Sequence, residues 1–292
     1  MRIQGTITAM VTPFGKDGAV DYGRLAEFVD WQCESGVDGL CPVGTTGESP
    51  TLDHAEHHKV IEETIKFAKG RVTIIAGTGA NSTAEAVSLT KAAIAMGGAD
   101  ACLQVTPYYN KPNPEGLYRH FMTVADLGLP VVLYNVPGRS GREIPLDVVA
   151  RLSSHPMIVA IKEAVGSVER VSAIKARCPD LTVLSGDDSL ALPMISVGAA
   201  GVISVASDVM PKEISDFIRT ALAGDMAAAR ALHLKYYNLF HDLFIDTNPV
   251  MVKEALALMG KIDLVYRLPL CETTAANRAK IAETLKELGV LK

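Results

Sequence analysis

The sequence lacks the features that mark several large classes of protein. It has no excess of basic residues, since 28 Lys and Arg stand against 33 Asp and Glu, for a formal net charge of −5. That balance provides no basic face for nucleic acid or for an anionic membrane. No apolar run reaches membrane-span length without Gly, Pro or a polar residue. Residues 1–12 alternate polar and apolar side chains where a signal peptide is continuously apolar, so we expect a cytoplasmic protein.

Motifs for metals and nucleotides are also missing. The number of cysteines is odd and none forms a C-x-x-C pair, which argues against a disulfide framework and a zinc site: Cys33, Cys41, Cys102, Cys178 and Cys271. There is no glycine-rich dinucleotide fingerprint, no P-loop and no H-E-x-x-H motif. His54, His57 and His58 have a helical spacing that zinc could use, but without that motif we predict no metal there. We therefore expect neither NAD, ATP nor a metal.

The sequence does contain a regular alternation of short apolar runs with helical patterns. Eight runs rich in β-branched residues recur, at 6–11, 39–43, 72–77, 101–106, 131–136, 157–162, 181–186 and 201–206. Between them, apolar residues recur at helical spacing, as in 22–33 and 86–96. Strands that alternate with helices and are apolar throughout predict a parallel sheet buried on both faces.

The number of these units predicts the architecture. Similar helix-to-strand turns at 35–39, 97–101 and 198–201 each contain glycine, which suits a left-handed helix end. Eight strand–helix units indicate an α/β fold of the closed (β/α)8 TIM-barrel type over residues 1–224. Helical patterns at 227–244, 248–260 and 273–289 predict that residues 225–292 are helices packed on the barrel.

The C-terminal ends of barrel strands, where reactive groups lie in this fold, are polar here. Strand 2 runs into GTTGES (44–49), which either holds an anion by hydroxyl and backbone N–H groups or simply caps the next helix. Strands 4 and 5 end near Tyr109 and Tyr134, residues that more often lie at the rim of a core. With Arg139 on a Pro-Gly loop, they suggest a proton relay beside an anion site.

A lysine at the end of strand 6 is the most unusual feature. Lys162 follows the apolar run 157–161, and such lysines usually reach water or pair with a carboxylate. Glu163 is a poor partner because successive strand residues point to opposite faces. If Lys162 faces the barrel interior, desolvation favours the neutral amine, which forms imines with keto compounds. We interpret Asp187 and Asp188 as helix-capping residues and not as a metal site or carboxylate dyad.

Together these motifs resemble the pyruvate-dependent class I aldolase family that contains dihydrodipicolinate synthase and N-acetylneuraminate lyase. The resemblance covers essentially the whole chain and rests on GTTGES (44–49), TPYYNKP (106–112), YNVPGR (134–139), IKEA (161–164), SGDD (185–188) and GVISV (201–205). It implies a (β/α)8 enzyme that uses no metal or organic cofactor and condenses pyruvate with L-aspartate 4-semialdehyde, in the biosynthesis of diaminopimelate and lysine.

The resemblance also implies roles for single residues in binding pyruvate. Lys162 would form the Schiff base with pyruvate, whose carboxylate would lie against Thr46. Ile203 and Gly186 would complete the contacts with this substrate.

Four further residues would serve proton transfer and the second substrate. Tyr134 would relay protons through the Thr45 hydroxyl to Tyr109, which reaches the site from a neighbouring subunit in this family. Arg139 would bind the carboxylate of aspartate semialdehyde at the entrance of the site.

A regulatory site and an assembly follow from the same resemblance. In lysine-inhibited members the end product binds at a dimer interface, at positions matched here by Ser49, Leu52, His54, His57, Asn81, Glu85 and Tyr108. Pro50 departs from the small residue expected beside Ser49. We therefore expect inhibition by lysine and a homotetramer built as a dimer of dimers.

Two alternatives share most of these features. A sialic acid lyase or a keto-deoxy-sugar acid aldolase would have the same lysine and tyrosine, but its polyhydroxy aldehyde does not require a cation such as Arg139. A non-catalytic sensor of keto acids or lysine would need neither an amine nucleophile nor a proton relay.

Overall fold

Eight parallel strands close into a barrel in the computed structural model, which describes residues 3–292. The strands are β1 (Gly5–Ala9), β2 (Gly39–Cys41), β3 (Thr73–Gly77), β4 (Ala101–Val105), β5 (Val131–Asn135), β6 (Ile158–Glu163), β7 (Thr182–Ser185) and β8 (Gly201–Ser204). Each pairs with its successor, and β8 pairs with β1. The predicted (β/α)8 barrel is confirmed, and only residues 1 and 2 of the predicted range lie outside the described part.

Helices surround the barrel and follow the strands in the predicted order. They are α1 (Tyr22–Glu34), α2 (His54–Ala68), α3 (Thr83–Met96), α4 (Pro114–Ala125), α5 (Pro137–Ser140), α6 (Leu146–Leu152), α7 (Val168–Arg177), α8 (Ala191–Ser196), α9 (Pro211–Leu222), α10 (Met226–Asp242), α11 (Val250–Leu258) and α12 (Ala275–Glu287). The last three correspond to the three helical patterns predicted beyond residue 225. None of the helices within residues 3–292 is long and apolar enough to cross a membrane.

Glycine ends the helices where the sequence predicts it. Gly36 and Gly198 have φ values of +83° and +105°, in the left-handed region that a side chain disfavours. The turn before the next strand can therefore be short, which keeps the repeated strand–helix units tightly packed.

Apolar side chains form two separate clusters because successive strand residues point to opposite faces. One cluster fills the barrel interior and includes Ile7, Leu103, Val132, Leu184 and Ile203. The other lies between strands and helices and contains the larger part of the core. The interior cluster lies directly below the polar residues at the C-terminal ends of the strands.

The predicted boundary between residues 224 and 225 falls in the turn that joins α9 to α10. Residues beyond it hydrogen-bond to the loop after β2, as Asn248 does to Thr46. That residues 225–292 form a unit distinct from the barrel stays a prediction.

Candidate active site

Lys162 projects into the barrel interior beside Tyr134. The two residues are register partners across β5 and β6, and Leu184 of β7 is the partner on the other side. Both neighbours belong to the interior cluster, and Lys162 itself is only 6% exposed. Its Nζ atom lies 4.3 Å from the centroid of the Tyr134 ring. Lys162 therefore faces the interior, which is the condition that the sequence analysis set for a nucleophilic lysine.

No carboxylate neutralises this lysine within residues 3–292. Glu163 points to the outer face of the barrel, where Asn135 Nδ2 donates to its Oε1 at 2.9 Å and Arg170 Nε lies 3.5 Å from its Oε2. Burial raises the pKa of Glu163 to about 7, although Asn135 and Arg170 oppose the shift. Because the neighbouring carboxylate is engaged elsewhere, Lys162 is available for chemistry in the barrel.

Small and neutral groups surround Lys162. A Cβ atom on Gly186 would lie 3.1 Å from Lys162 Cε and 2.7 Å from Ala164 Cβ, so a larger residue there would crowd the lysine. Burial raises the pKa of the Cys41 thiol to about 11, even though Lys162 opposes it. The thiol therefore stays protonated at neutral pH and does not compete as a nucleophile. Ile203 is buried in the interior cluster, and its contact with substrate, like that of Gly186, stays a prediction.

A cavity of about 210 Å³ opens above Tyr134 at the C-terminal ends of the strands. Its lining includes Thr45, Tyr134 and Arg139, three of the residues predicted to handle substrate. Apolar walls and a few convergent polar groups are typical of a small-molecule site. Tyr109 is not part of this lining. It is 90% exposed, and its φ is +71°. Its predicted role in another subunit stays a prediction.

Arg139 lies on a single helical turn and not on the loop that we expected. Pro137 begins the turn α5, where its fixed φ and missing N–H suit the first helical position. The guanidinium of Arg139 donates from Nη2 to the main-chain oxygen of Asn248 at 3.2 Å. Asn248 also donates from Nδ2 to Thr46 Oγ1 at 3.0 Å. One residue of the C-terminal region thus contacts both predicted carboxylate-binding residues.

The loop after β2 is held by a buried ion pair that the sequence did not reveal. Glu48 has a φ of +55°, and its Oε1 atom accepts from Lys253 Nζ of α11 at 2.5 Å. Both side chains are fully buried. Lys253 is a charged residue between the apolar stretches 249–252 and 255–259. A charge in such a position is the one feature of the sequence that could have indicated a buried ion pair.

A sequence profile described as the dihydrodipicolinate synthetase family matches residues 2–288. The chain belongs to the dihydrodipicolinate synthetase family. The resemblance read from the motifs is therefore confirmed.

Individual relatives cover nearly the whole chain. A 4-hydroxy-tetrahydrodipicolinate synthase of Hydrogenobaculum sp. is 50% identical over 99% of this chain and 100% of its own. The dihydrodipicolinate synthase of Acinetobacter baumannii, solved in complex with pyruvate, gives a TM-score of 0.97 at 46% identity and covers 99% of this chain and 100% of its own. The enzyme of Cyanidioschyzon merolae, solved with lysine bound, gives 0.95 at 39% identity with 99% of each chain covered.

Within this member of the dihydrodipicolinate synthetase family, the predicted regulatory residues lie close to one another. His54 Nε2 contacts Glu85 Oε1 at 3.0 Å. Asn81 Nδ2 donates to the main-chain oxygen of Tyr108 at 3.3 Å. Burial and then the charge of Glu85 raise the pKa of Tyr108. Tyr108 also lines the cavity above Tyr134, as does Ser49. The cluster therefore adjoins the candidate active site.

The remaining two residues of the predicted regulatory set are buried. Leu52 and His57 are both nearly inaccessible. Burial lowers the pKa of His57 to about 4, with smaller effects from His58 and His54, so the ring is neutral at pH 7. Pro50 occupies the middle of a short 3₁₀ turn, Ser49–Thr51, at the edge of the cavity.

The acidic pair after β7 has a structural role in residues 3–292. Asp187 Oδ1 accepts from the main-chain N–H of Ser189, which confirms the predicted cap. Asp188 is buried and accepts from Ser204 Oγ and from the main-chain N–H of Val205. These bonds tie the end of β7 to the end of β8.

Proposed function

We propose that this protein is a 4-hydroxy-tetrahydrodipicolinate synthase, which condenses pyruvate with L-aspartate 4-semialdehyde in the cytoplasmic route to diaminopimelate and lysine. The observation that carries the proposal is the buried Lys162, whose Nζ lies 4.3 Å from the ring centroid of Tyr134, a residue that lines the cavity. The names and full-length similarity of the relatives support it.

The first half of the reaction builds a nucleophile on pyruvate. The neutral amine of Lys162 adds to the keto carbon, and the adduct takes up a proton and loses water to leave a protonated imine. The imine withdraws electrons, so a methyl proton leaves and an enamine forms. Tyr134 is positioned beside Lys162 to accept and return such protons, and Thr45 lines the same cavity. Thr46, the buried residue that follows Thr45, supplies a hydroxyl for the pyruvate carboxylate.

The second half joins the two substrates. The enamine carbon attacks the aldehyde carbon of aspartate semialdehyde, and the aldehyde oxygen takes up a proton to become a hydroxyl. The amine of this substrate then adds to the imine carbon, which closes the ring and expels the amine of Lys162. Arg139 lines the cavity and offers a planar cation that binds the substrate carboxylate.

The experiment compares substrates on the purified protein. We expect consumption of pyruvate together with aspartate semialdehyde and no release of pyruvate from N-acetylneuraminate or keto-deoxy-sugar acids. Release of pyruvate from a sugar acid alone would instead assign the protein to another aldolase of the family. Absence of turnover with every substrate, together with lysine binding, would favour a sensor.

We further propose that lysine inhibits the enzyme by binding at Ser49, Leu52, His54, His57, Asn81, Glu85 and Tyr108. The contacts among His54, Glu85, Asn81 and Tyr108 support a common site, and Glu85 offers a carboxylate for an ammonium group. Ser49 and Tyr108 also line the cavity above Tyr134. A ligand bound here would therefore contact the loop after β2, which carries Thr45 and Thr46. The lysine complex of the Cyanidioschyzon merolae relative is consistent with this proposal.

Glu85→Gln should raise the concentration of lysine needed for half inhibition by roughly 10- to 100-fold, because the amide still accepts a hydrogen bond but lacks the negative charge that pairs with the ammonium group. Turnover without lysine should stay near the wild-type value. Glu63→Gln is the matched control, because it changes a helix carboxylate that pairs with Lys66 and is not one of the residues of the proposed lysine site. Unchanged turnover of the wild type in millimolar lysine would refute the inhibition, and equal inhibition of both variants would remove Glu85 from the site.

We also propose that the protein assembles as a homotetramer, a dimer of dimers in which Tyr109 completes the site of a neighbour. Its 90% exposure and its absence from the lining of its own cavity support this arrangement. Sedimentation velocity distinguishes monomer, dimer and tetramer. A monomer with full activity would contradict both the assembly and the role of Tyr109.

A further inference from the structure

Asn248 contacts the two residues that the proposed function assigns to the two substrate carboxylates. It precedes α11, in the region that the sequence places outside the barrel, and it is only 6% exposed. Its side-chain Nδ2 donates to Thr46 Oγ1 at 3.0 Å. Its main-chain oxygen accepts from Arg139 Nη2 at 3.2 Å.

The contact with Thr46 determines which way the hydroxyl proton can point. A hydroxyl has one proton to donate and two lone pairs that accept, whereas an amide nitrogen can only donate. Thr46 Oγ1 must therefore be the acceptor in its bond with Asn248. Its own proton is directed away from Asn248, and the hydroxyl donates to no other side chain within residues 3–292. An ionised carboxylate, which can only accept, is the complementary ligand for this proton.

The main-chain contact has a parallel effect on Arg139. One guanidinium nitrogen is bound to a fixed oxygen, so the side chain of an exposed residue is restrained at the edge of the cavity. The remaining guanidinium N–H groups stay available for a carboxylate. Asn248 Oδ1 is buried without a partner in the described residues, which is typical of a site completed by ligand or water.

We propose that Asn248 is a positioning residue that presets the Thr46 hydroxyl as a donor to the carboxylate of the keto-acid substrate while restraining Arg139 for the second carboxylate. The proposal rests on the proposed function, since it assumes that Thr46 binds the carboxylate of pyruvate. It assigns part of the substrate site to the C-terminal region.

Two substitutions at Asn248 separate hydrogen-bond polarity from shape. Asn248→Asp keeps the shape but replaces the donor with an ionised acceptor, so the Thr46 proton turns to the new carboxylate and is lost to the substrate. Asn248→Ala removes the amide and leaves that proton free. We expect KM for pyruvate to rise roughly 10- to 100-fold in Asn248→Asp and clearly less in Asn248→Ala, with a smaller change in kcat.

A purely structural role predicts the opposite order, because aspartate fills the space of asparagine and alanine does not. A Thr46→Val background provides a second readout, since Asn248→Asp should then raise KM much less than in the wild type. Asn277→Asp is the matched control, because Asn277 Nδ2 donates in the same way to Thr273 Oγ1 at 2.9 Å. Thermal unfolding of each variant confirms that it is folded.

The outcomes distinguish this inference from the proposed function. If the wild type forms no borohydride-reducible adduct with pyruvate, the proposed function fails and the inference fails with it. If the wild type forms the adduct and Asn248→Asp binds pyruvate as well as Asn248→Ala or better, the proposed function stands and the positioning role of Asn248 is refuted.

Discussion

Replacing Lys162 by arginine should lower kcat by a factor on the order of 10⁶, the loss that follows removal of a covalent nucleophile. A guanidinium places a permanent cation beside the Tyr134 ring, but it has no lone pair with which to attack a keto carbon. The variant therefore tests whether a cation at this position is enough without a nucleophile. Turnover is measured with pyruvate and aspartate semialdehyde, and imine formation by reduction with borohydride followed by mass spectrometry of the peptides.

A matched variant and the adduct itself decide the outcome. Lys66→Arg changes an exposed lysine paired with Glu63 and should react like the wild type. The wild type should carry one reduced pyruvate adduct, on Lys162, and Lys162→Arg should carry none. An adduct on another lysine in both proteins would show that the nucleophile is elsewhere, and substantial turnover of Lys162→Arg would show that no imine is needed.

The inner half of the site could be predicted because it depends on local pattern. Apolar runs with strand character locate β5 and β6, and a parallel barrel brings their C-terminal ends to one rim. Tyr134 and Lys162 lie at those ends, so their proximity follows from the order of the strands. The alternation of side chains predicts that Lys162 and Glu163 point to opposite faces, and the structure shows that Lys162 is the one that faces the interior.

The outer half could not be predicted because it depends on contacts between distant segments. Asn248 and Thr46 are 202 residues apart in sequence, and Lys253 and Glu48 are 205 apart. The apolar pattern of 248–260 predicts a helix, but it does not say against which loop that helix packs. Tyr109 marks another limit, since it is exposed and does not line its own cavity, and its predicted partner is a second chain.

Replacing Lys253 by methionine should reduce the free energy of unfolding by about 3–5 kcal/mol, because Glu48 is left as an uncompensated buried charge. Burial lowers the pKa of Lys253 even though Glu48 opposes the shift, so the ammonium also depends on its partner. The pair joins α11 to the loop that carries Thr45 and Thr46, so its loss should also raise KM for pyruvate. Urea unfolding at one fixed protein concentration measures the stability, because the proposed self-association would make the stability depend on concentration.

The matching variants test whether the buried pairing is the cause. Lys212→Met breaks an exposed i,i+4 pair with Asp216 and should cost about 0.5 kcal/mol or less. Glu48→Gln combined with Lys253→Met removes both charges and should recover much of the lost stability, because desolvation of two ions offsets most of their attraction. A double variant as unstable as the sum of the two single variants would mean that shape and not charge holds the loop.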